Sequence, residues 1–477
     1  MANCKFHPYS MCNVRSVLVL GILGISLMSA NAAELVKKGS HEFTMEEAVK
    51  AAKLNDPWLA GNQHSQNAVE SMSVAAGTLP DPKVSLGLAN LATDTFDFGQ
   101  EAMTQFKVGV SQMFPRGDSL AIRKTQLELM GTQYPYQRQD RKAKVTVTVS
   151  HLWLDAYKAQ ESIALINNKR ALFEQLADVA EASYSSALGR TRMQDIVRAQ
   201  LELTRLDDRL TKLNQQQDMF KQRLYEWLSD YFVDNYSQNS LIENQVLSSD
   251  LLLARRLPDT ALINPQLYNG TKETDPQILF DYFTDHPVVM GLDQKIKASR
   301  SGIELAQQKY KPEWGVNASY GYRDNDPMGN DRADLFSVGV TFDLPLFTDN
   351  RQDKQVESAV SQTESVKTEK WLLLRKLIAS FETAKAQLLR LNQRQQLFQQ
   401  ELLPQMYEQA EASLTAYTND DGDFAEVVRA RIAELNAEID ALSIDVDRQK
   451  TIIQLNYFFI RSADVAMASN RRPGENK

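Results

Sequence analysis

The sequence predicts a mainly α-helical chain with a small transmembrane β part. Three observations carry that expectation. Phe106-Lys-Val-Gly-Val-Ser-Gln-Met-Phe-Pro115 alternates apolar with small or polar residues, as a strand of period two does, and it recurs as Phe336-Ser-Val-Gly-Val-Thr-Phe-Asp-Leu-Pro345 at an offset of 230 residues. Each copy is preceded by another alternating stretch and followed by very long helical runs with apolar residues in a 4-3 rhythm. No later segment has 18 consecutive apolar residues, so a membrane crossing by this chain requires strands rather than helices.

The N-terminus carries an export signal in pattern. Lys5 and Arg15 precede the apolar run Val17 to Met28, which leads into Ala30-Asn31-Ala32. A basic region, a short apolar core and an A-x-A site predict a secretory peptide over residues 1–32, too short to span a bilayer as an anchor. Both cysteines, Cys4 and Cys12, lie within it. The mature chain is then expected to have no disulfide, no cysteine metal site and no cysteine for lipid attachment. The chain of 477 residues is 43% hydrophobic and 24% charged, ordinary for a folded protein, and its net charge of −8 argues against nucleic acid as a partner.

A first repeat is expected over 33–230. Residues 41–79 read as helix, capped by Thr44 and broken at Asn55-Asp-Pro57; Leu79-Pro-Asp-Pro82 ends them. Strands follow at 83–91 and 104–114, with Val84, Leu86, Phe106, Val108 and Val110 on the apolar face. At roughly 9–11 residues each, they match a tilted strand that crosses hydrocarbon. A helical hairpin over 117–228 comes next. Its β-branched run Val145-Thr-Val-Thr-Val149 is expected to stay helical, because propensity is a weak prior against helical flanks. One seam runs Leu152, Ala156, Ala159, Ile163, Ile166, Phe173, Ala177, Ala180 and Tyr184; the chain turns at Leu188-Gly189-Arg190 and returns through Ala199, Leu203, Leu206, Leu210, Leu213, Phe220, Leu224 and Trp227.

Residues 231–275 are rich in Asn, Ser, Asp and Pro and read as a linker. The second repeat, 276–460, repeats the order. Asp285-His-Pro287 matches Asn55-Asp-Pro57, strands are expected at 313–323 and 334–344, and a helical hairpin at 347–458. Trp314, Val316, Phe336, Val338 and Val340 fall on its apolar strand face, with Trp314, Tyr320 and Tyr322 suited to an aromatic girdle. Ile432, Leu435, Ile439, Leu442, Val446 and Ile453 form the return seam, and 461–477 is a polar tail. A constant offset held across so many anchors implies internal duplication.

Four strands cannot close a barrel, and open edges are not tolerated in lipid, so several chains must pool their hairpins. At this point the residues resemble a known family. The twofold plan, the turn signatures Gly189-x5-Asp195-x3-Ala199-Gln200 and Tyr417-x8-Glu426-x3-Ala430, and nearly the whole mature length are similar to the TolC-like outer-membrane efflux proteins. Gly77-Thr-Leu-Pro-Asp-Pro82 and Gln112-Met-Phe-Pro-Arg-Gly117 look most like the heavy-metal branch, the CzcC/CusC-like channels of RND systems. The resemblance implies a homotrimer with a twelve-stranded barrel in outer-membrane lipid and an α-helical barrel in the periplasm. It also implies a periplasmic adaptor and an inner-membrane RND pump as partners.

The second turn, Asn419-Asp420-Asp421-Gly422-Asp423-Phe-Ala-Glu426, concentrates carboxylates at the far end of the helices. Repeated around an axis they would form a ring that attracts cations; alternatively they are a solvated loop. The resemblance places Tyr417 and Glu426 at positions that close the entrance, with Asp195 on the equivalent first turn, and makes Gly189, Arg190 and Gly422 candidates for the docking tip. Arg429 departs from the family pattern, where a second carboxylate is frequent. His41, His64, His151 and His286 are scattered, as are Met72, Met103, Met113 and Met130, so no metal site or cofactor is expected. No nucleophile–base or phosphate-loop motif suggests an enzyme. Alternatives to a metal-efflux duct are a multidrug or type I secretion duct, and an exported coiled-coil adaptor or scaffold.

The strand alternation makes a direct prediction. Charge at Val108 or Val338 should block membrane insertion, at about 2–4 kcal/mol for a basic residue near the bilayer midplane, whereas charge at Ser111 or Thr341 should be tolerated. Recovery of each variant in the membrane fraction measures this, and equal tolerance on both faces would take the strand out of the membrane.

Overall fold

The computed structural model describes residues 42–185, 192–228, 252–268, 274–419 and 421–461. The expected signal peptide, most of the 231–275 linker, the tail beyond Arg461, and Gly189, Arg190 and Asp420 lie outside the described residues. Ten helices and four strands are labelled here in chain order. They are α1 Met45–Leu54, α2 Pro57–Ala76, β1 Lys83–Ala89, β2 Gln105–Phe114, α3 Ser119–Gly131, α4 Gln133–Ser185 and α5 Met193–Leu228. After them come α6 Pro276–Thr284, α7 Pro287–Gln307, β3 Trp314–Tyr322, β4 Leu335–Phe342, α8 Gln352–Leu397, α9 Leu403–Thr418 and α10 Phe424–Tyr457.

Local chemistry sets the helix starts. Thr44 forms a capping box: its Oγ1 accepts from Glu47 N–H at 3.2 Å, and Glu47 Oε2 accepts from Thr44 N–H at 2.9 Å. The two matched X-Pro breaks are both helix N-caps with proline at the first helical position. Asp56 accepts from Trp58 N–H at 3.1 Å, and His286 Nδ1 accepts from Val288 N–H at 3.3 Å. Asp56 also receives Arg141 Nε at 2.7 Å, and the Arg141 guanidinium lies over the rings of Trp58 and Trp227. One arginine thus binds the start of α2 to α4 and the end of α5.

The helices are as long as the seams imply. At 53 residues, α4 extends about 80 Å. Val145 and Val149 are buried one helical turn apart, so tertiary packing overrides their strand preference. Of the first seam, Ala156, Ala159, Ile166, Phe173 and Ala180 are buried, while Tyr184 is exposed. The expected single helix from 117 is divided at Thr132, because Pro135 in the first turn of α4 has no N–H to continue the ladder. The helix expected from 347 begins at Gln352. Between α8 and α9, a π turn over Phe398–Leu402 widens the backbone just before Pro404, where a regular turn would press the proline ring against the preceding carbonyl.

The strands form one antiparallel sheet in the order β1-β2-β3-β4. The flanking helices follow the same order: α2 packs on α3, α3 on α7, and α7 on α8. Midway along the chain's helical part, α4 and α10 pack around an aromatic core of Phe283, Phe381, Phe458 and Phe459, and around a second core centred on Trp153 and Tyr157. No helix among the described residues is long and apolar enough to cross a membrane.

His286 is buried beside the first of these cores. Its Nε2 lies 3.1 Å from Tyr457 O, and Tyr457 Oη donates to Asp140 at 2.7 Å. Nδ1 accepts from Val288, so the ring is neutral with its proton on Nε2. Burial holds the His286 pKa below the usual histidine value. A depressed folded pKa contributes stability that is complete above the unfolded value of about 6.5 and is lost as pH falls through the folded value. Thermal denaturation should therefore shift downward as pH drops below about 6.5. His286→Asn keeps a cap and should flatten that part of the profile; an unchanged slope would remove His286 from the titration.

Candidate functional site: the apolar sheet face and the acidic helical tip

Register assembles the sheet's two faces from residues distant in sequence. Val84 pairs with Val110, which pairs with Ala318, which pairs with Val338; Leu86 pairs with Val108, which pairs with Tyr320, which pairs with Phe336. Val316 joins the same face opposite Val340. The other face carries Ser85, Gly109 and Ser319 in one row and Ser111, Asn317 and Gly339 in the next. Side chains lean over the glycines of this face: a Cβ on Gly109 would meet Ser85 Oγ at 2.7 Å, and one on Gly339 would meet Asn317 Oδ1 at 2.8 Å, so either substitution would displace its neighbour.

All ten residues expected on the lipid side lie together on the apolar face, and all are exposed. Phe336 is 73% exposed, Leu86 69%, Val84 67% and Val338 64%. A soluble sheet buries such a face against a core; here nothing among the described residues covers it. Aromatic residues gather at its two ends. Phe114, Trp314 and Phe342 are in register at the end nearer the helices, with Trp314 and Phe342 centroids 4.9 Å apart. Phe106 with Tyr322, and Tyr320 with Phe336, occupy the other end. The two groups are separated by about 20–26 Å along β3. Sequence reading identified Trp314, Tyr320 and Tyr322. Recognising Phe114 and Phe342 as their partners needed the register.

At the opposite end of the long helices, the two hairpins meet. Leu176, Ala180, Ile196 and Ala199 of the first pack against Phe424, Val427 and Val428 of the second. Tyr417 and Phe424 form an edge-on pair with centroids 5.6 Å apart. The second turn is tight. Asp421 N–H donates to Ala416 O at 2.9 Å, and a Cβ on Gly422 would come within 2.6 Å of Tyr417 N, so only glycine fits. Asp423 caps α10 by accepting from Ala425 N–H at 3.1 Å. Asp421 and Glu426 are exposed, and Glu426 is paired with Arg429 on its own helix. Arg429, at the position where the resemblance led to an expected second carboxylate, thus pairs with its neighbour instead.

Asp195 has a different setting from Asp421 and Glu426. It is 5% exposed, and its carboxylate accepts from Arg192 N–H at 2.9 Å, closing the first turn of α5. The described tip carboxylates therefore divide into backbone caps, Asp195 and Asp423, and solvent-facing charges, Asp421 and Glu426. Among the described residues no cluster of His, Cys, Asp or Glu is arranged to hold a metal ion.

Above the tip, an ionic network that sequence reading missed joins the hairpins. Lys169 of α4 reaches Glu434 at 2.8 Å and Glu438 at 3.0 Å of α10; Arg431 reaches Glu434 at 3.0 Å and Glu411 of α9 at 2.6 Å. Arg431 and Glu434 are buried. Burial pushes the Glu434 carboxyl upward, but the Lys169 and Arg431 hydrogen bonds and charges together outweigh it and hold the group below the usual glutamate range. Arg431-x-x-Glu434 on a helix was a visible signal; its connection to Lys169 lies far away in sequence.

No protein-family model matches the sequence, and no curated protein matches it. Solved structures do match across nearly the whole chain. CusC, described in terms of transmembrane channel formation, is 14% identical with a TM-score of 0.67, covering 88% of this chain and 92% of its own. The Campylobacter jejuni CmeC outer-membrane channel is 11% identical with a TM-score of 0.67, covering 89% and 88%. The open state of the Neisseria gonorrhoeae MtrE outer-membrane channel is 11% identical with a TM-score of 0.63, covering 87% and 88%. At these identities the likeness is one of fold, and the fold of this chain is that of these outer-membrane channels.

Proposed function

We propose that the chain is one subunit of an outer-membrane duct, a TolC-like efflux protein that serves as the passive exit of a tripartite system. The observation that carries this reading is the exposed apolar sheet face, bounded by aromatic residues at both ends and ending in two strands with one unpaired edge each. A face of that composition suits hydrocarbon, and its aromatic ends suit the two membrane–water interfaces. The free edges of β1 and β4 require further strands, which other copies supply; three chains form a twelve-stranded barrel. Likeness in fold to outer-membrane channels supports the same reading, and the duplicated sequence plan accounts for two hairpins in one subunit.

In this reading the helices form a periplasmic stem whose tip meets an adaptor and, through it, an inner-membrane RND pump. Transport needs no catalytic step in this chain: the pump supplies the energy, and the tip changes between closed and open populations. Tyr417, Asp421, Asp423 and Glu426 belong to the entrance, with Asp195 holding the neighbouring turn in shape and Gly422 permitting the tight second turn. Gly189, Arg190 and Asp420 extend the same tip in sequence. The cargo we favour is heavy-metal cations, on the two motifs at 77–82 and 112–117, with selection made upstream by the pump.

Two measurements test this. Fractionation should recover the protein only with detergent, and recovery from soluble periplasm would overturn the duct. A deletion strain should then be sensitive to Cu, Ag, Zn, Co or Cd salts; drug sensitivity alone would keep the duct and refute the metal cargo. At the stem, Lys169→Met should loosen the attachment of α10 to α4 and raise the open fraction of reconstituted channels roughly 10-fold, equivalent to about 1.4 kcal/mol. Glu434 has a depressed pKa, so its contribution is present above the unfolded value and lost as pH falls through the folded one. Wild-type channels should accordingly open more readily below about pH 4. Unchanged conductance in both cases would free the network from any part in opening.

A further inference from the structure

In the row α2-α3-α7-α8, the two inner helices have a neighbour on both sides, whereas α2 and α8 have one on one side only. The 230-residue offset in the sequence lets α2 and α7 be compared position by position, and both begin at a proline, Pro57 and Pro287. On α7, Gln294, Ala298 and Ser301 are buried, and α3 lies against them. Gln126 Nε2 donates to Ala298 O at 3.3 Å, and Thr132 Oγ1 lies 3.4 Å from Gln294 Oε1. The corresponding positions of α2 are His64, Ala68 and Ser71, and all three are exposed. Apart from His64, Glu70 is the only titratable side chain between Pro57 and Thr78. A solvated helix face is ordinarily rich in charge. The outer side of α2 has instead the small, uncharged residues of a packed helix, and no helix among the described residues covers it.

We propose that the missing neighbour is α8 of a second copy, and that this seam repeats the one between α3 and α7, residue for residue, at the 230-residue offset. The sheet fixes the register. Between β2 and β3, Val110 pairs with Ala318, Gln112 with Val316 and Phe114 with Trp314. Carried over, these pairs set Val340 of β4 opposite Leu88 of the next copy's β1, Phe342 opposite Leu86, and Leu344 opposite Val84. All six residues are exposed and apolar, so the apolar face runs on unbroken across the seam. A slip of one residue would turn every one of them to the wrong face. On the small and polar face, Ser111 with Asn317 becomes Thr341 with Gly87. The hairpins are not the template, because their registers differ: Val84 pairs with Val110, but Trp314, 230 residues on, with Phe342 rather than Val340. Pro82 with Pro312, and Pro115 with Pro345, share the offset and stand where strand gives way to helix, so carrying the seam over keeps these junctions level. In the stem the same rule sets Gln362, which is exposed, opposite His64, and Val356 against Ala68. The contact is head-to-tail, as a closed ring requires. It rests on the duct reading in one respect, that several copies share one sheet.

Disulfide trapping tests the register. Cys4 and Cys12 fall in the expected secretory peptide, so the exported chain is expected to have no thiol of its own. Gly87→Cys is combined with Thr341→Cys; a Cβ on Gly87 meets nothing within 4 Å. Within one chain these positions lie on opposite edges of the sheet, about 14 Å apart at three strand spacings and beyond the reach of a disulfide, so a bond between them joins two chains. Mild oxidation of intact cells should give covalent trimers on a denaturing, non-reducing gel. The pairs shifted by two residues, Ser85→Cys with Thr341→Cys and Ala89→Cys with Thr341→Cys, should give about 10-fold less, because diagonal neighbours are too far apart for good geometry. His64→Cys with Gln362→Cys, joined by a short bismaleimide, should give the same trimers from two exposed stem positions that folding does not depend on. A shifted pair that bonds better than Gly87→Cys with Thr341→Cys would overturn the register, and dimers from any single-cysteine variant would overturn the head-to-tail contact. No covalent oligomer from either the strand or the stem pair, in protein recovered with the membrane, would sink the seam and leave the duct. Protein recovered from soluble periplasm would sink the duct, and the expected cross-links found there would still support the seam.

Discussion

Everything in this molecule follows from an exposed apolar face on an incomplete sheet. Hydrogen bonds connect β1 to β2, β2 to β3 and β3 to β4, but among the described residues no strand lies beside the outer edges of β1 and β4. In water such a sheet would expose a large apolar surface; in lipid its bare edges would cost several kcal/mol per unsatisfied group. In the proposed duct both difficulties disappear, because copies of the chain would close the sheet inside a bilayer. The small residues of the opposite face, Gly109 against Ser85 and Gly339 against Asn317, then leave room for an interior. The long helices inherit this arrangement, because α2, α3, α7 and α8 leave the sheet in the same order as its strands.

The junction where strands become helices is held by polar contacts. Arg116 donates to Lys311 O at 2.8 Å and pairs with Asp343, whose Oδ1 accepts from Glu313 N–H at 2.8 Å. Gly117, at φ +46°, turns the chain where a side chain would strike Lys311 and Gln308. Such contacts suit a zone between hydrocarbon and water, where backbone groups released from the ladder need partners.

Within the stem, the middle is apolar, whereas nearer the tip apolar and ionic contacts lie side by side. The aromatic cluster around Phe381 and Phe283 fixes the middle, with several ring pairs about 6 Å apart. Nearer the tip, the Lys169–Glu434–Arg431–Glu411 network runs beside an apolar cluster of Ile166, Phe173, Leu206 and Leu435, with a further small cluster under Tyr417. A buried ionic network gains less net stability than a packed core of equal size, because its charges must be desolvated.

Much of this was legible in the sequence for a definable reason. Period-two alternation marked Phe106, Val108, Val110, Phe336, Val338 and Val340 as one-faced strands, and all six share the apolar face; Thr44, Asp56 and His286 sit where their cap chemistry suits them. Strand faces, helix caps, proline breaks and seam periodicity depend on a few neighbouring residues, so the chain determined them by itself. What the tertiary structure alone decided depends on pairs far apart: the order of the strands, the alignment of Phe114 with Trp314 and Phe342, and the meeting of Lys169 with Glu434. It also separated carboxylates that look alike in sequence, leaving Asp421 in solvent and turning Asp195 inward as a cap. Burial and the nearest hydrogen-bond donor set the role of a charge, and both are properties of the folded chain.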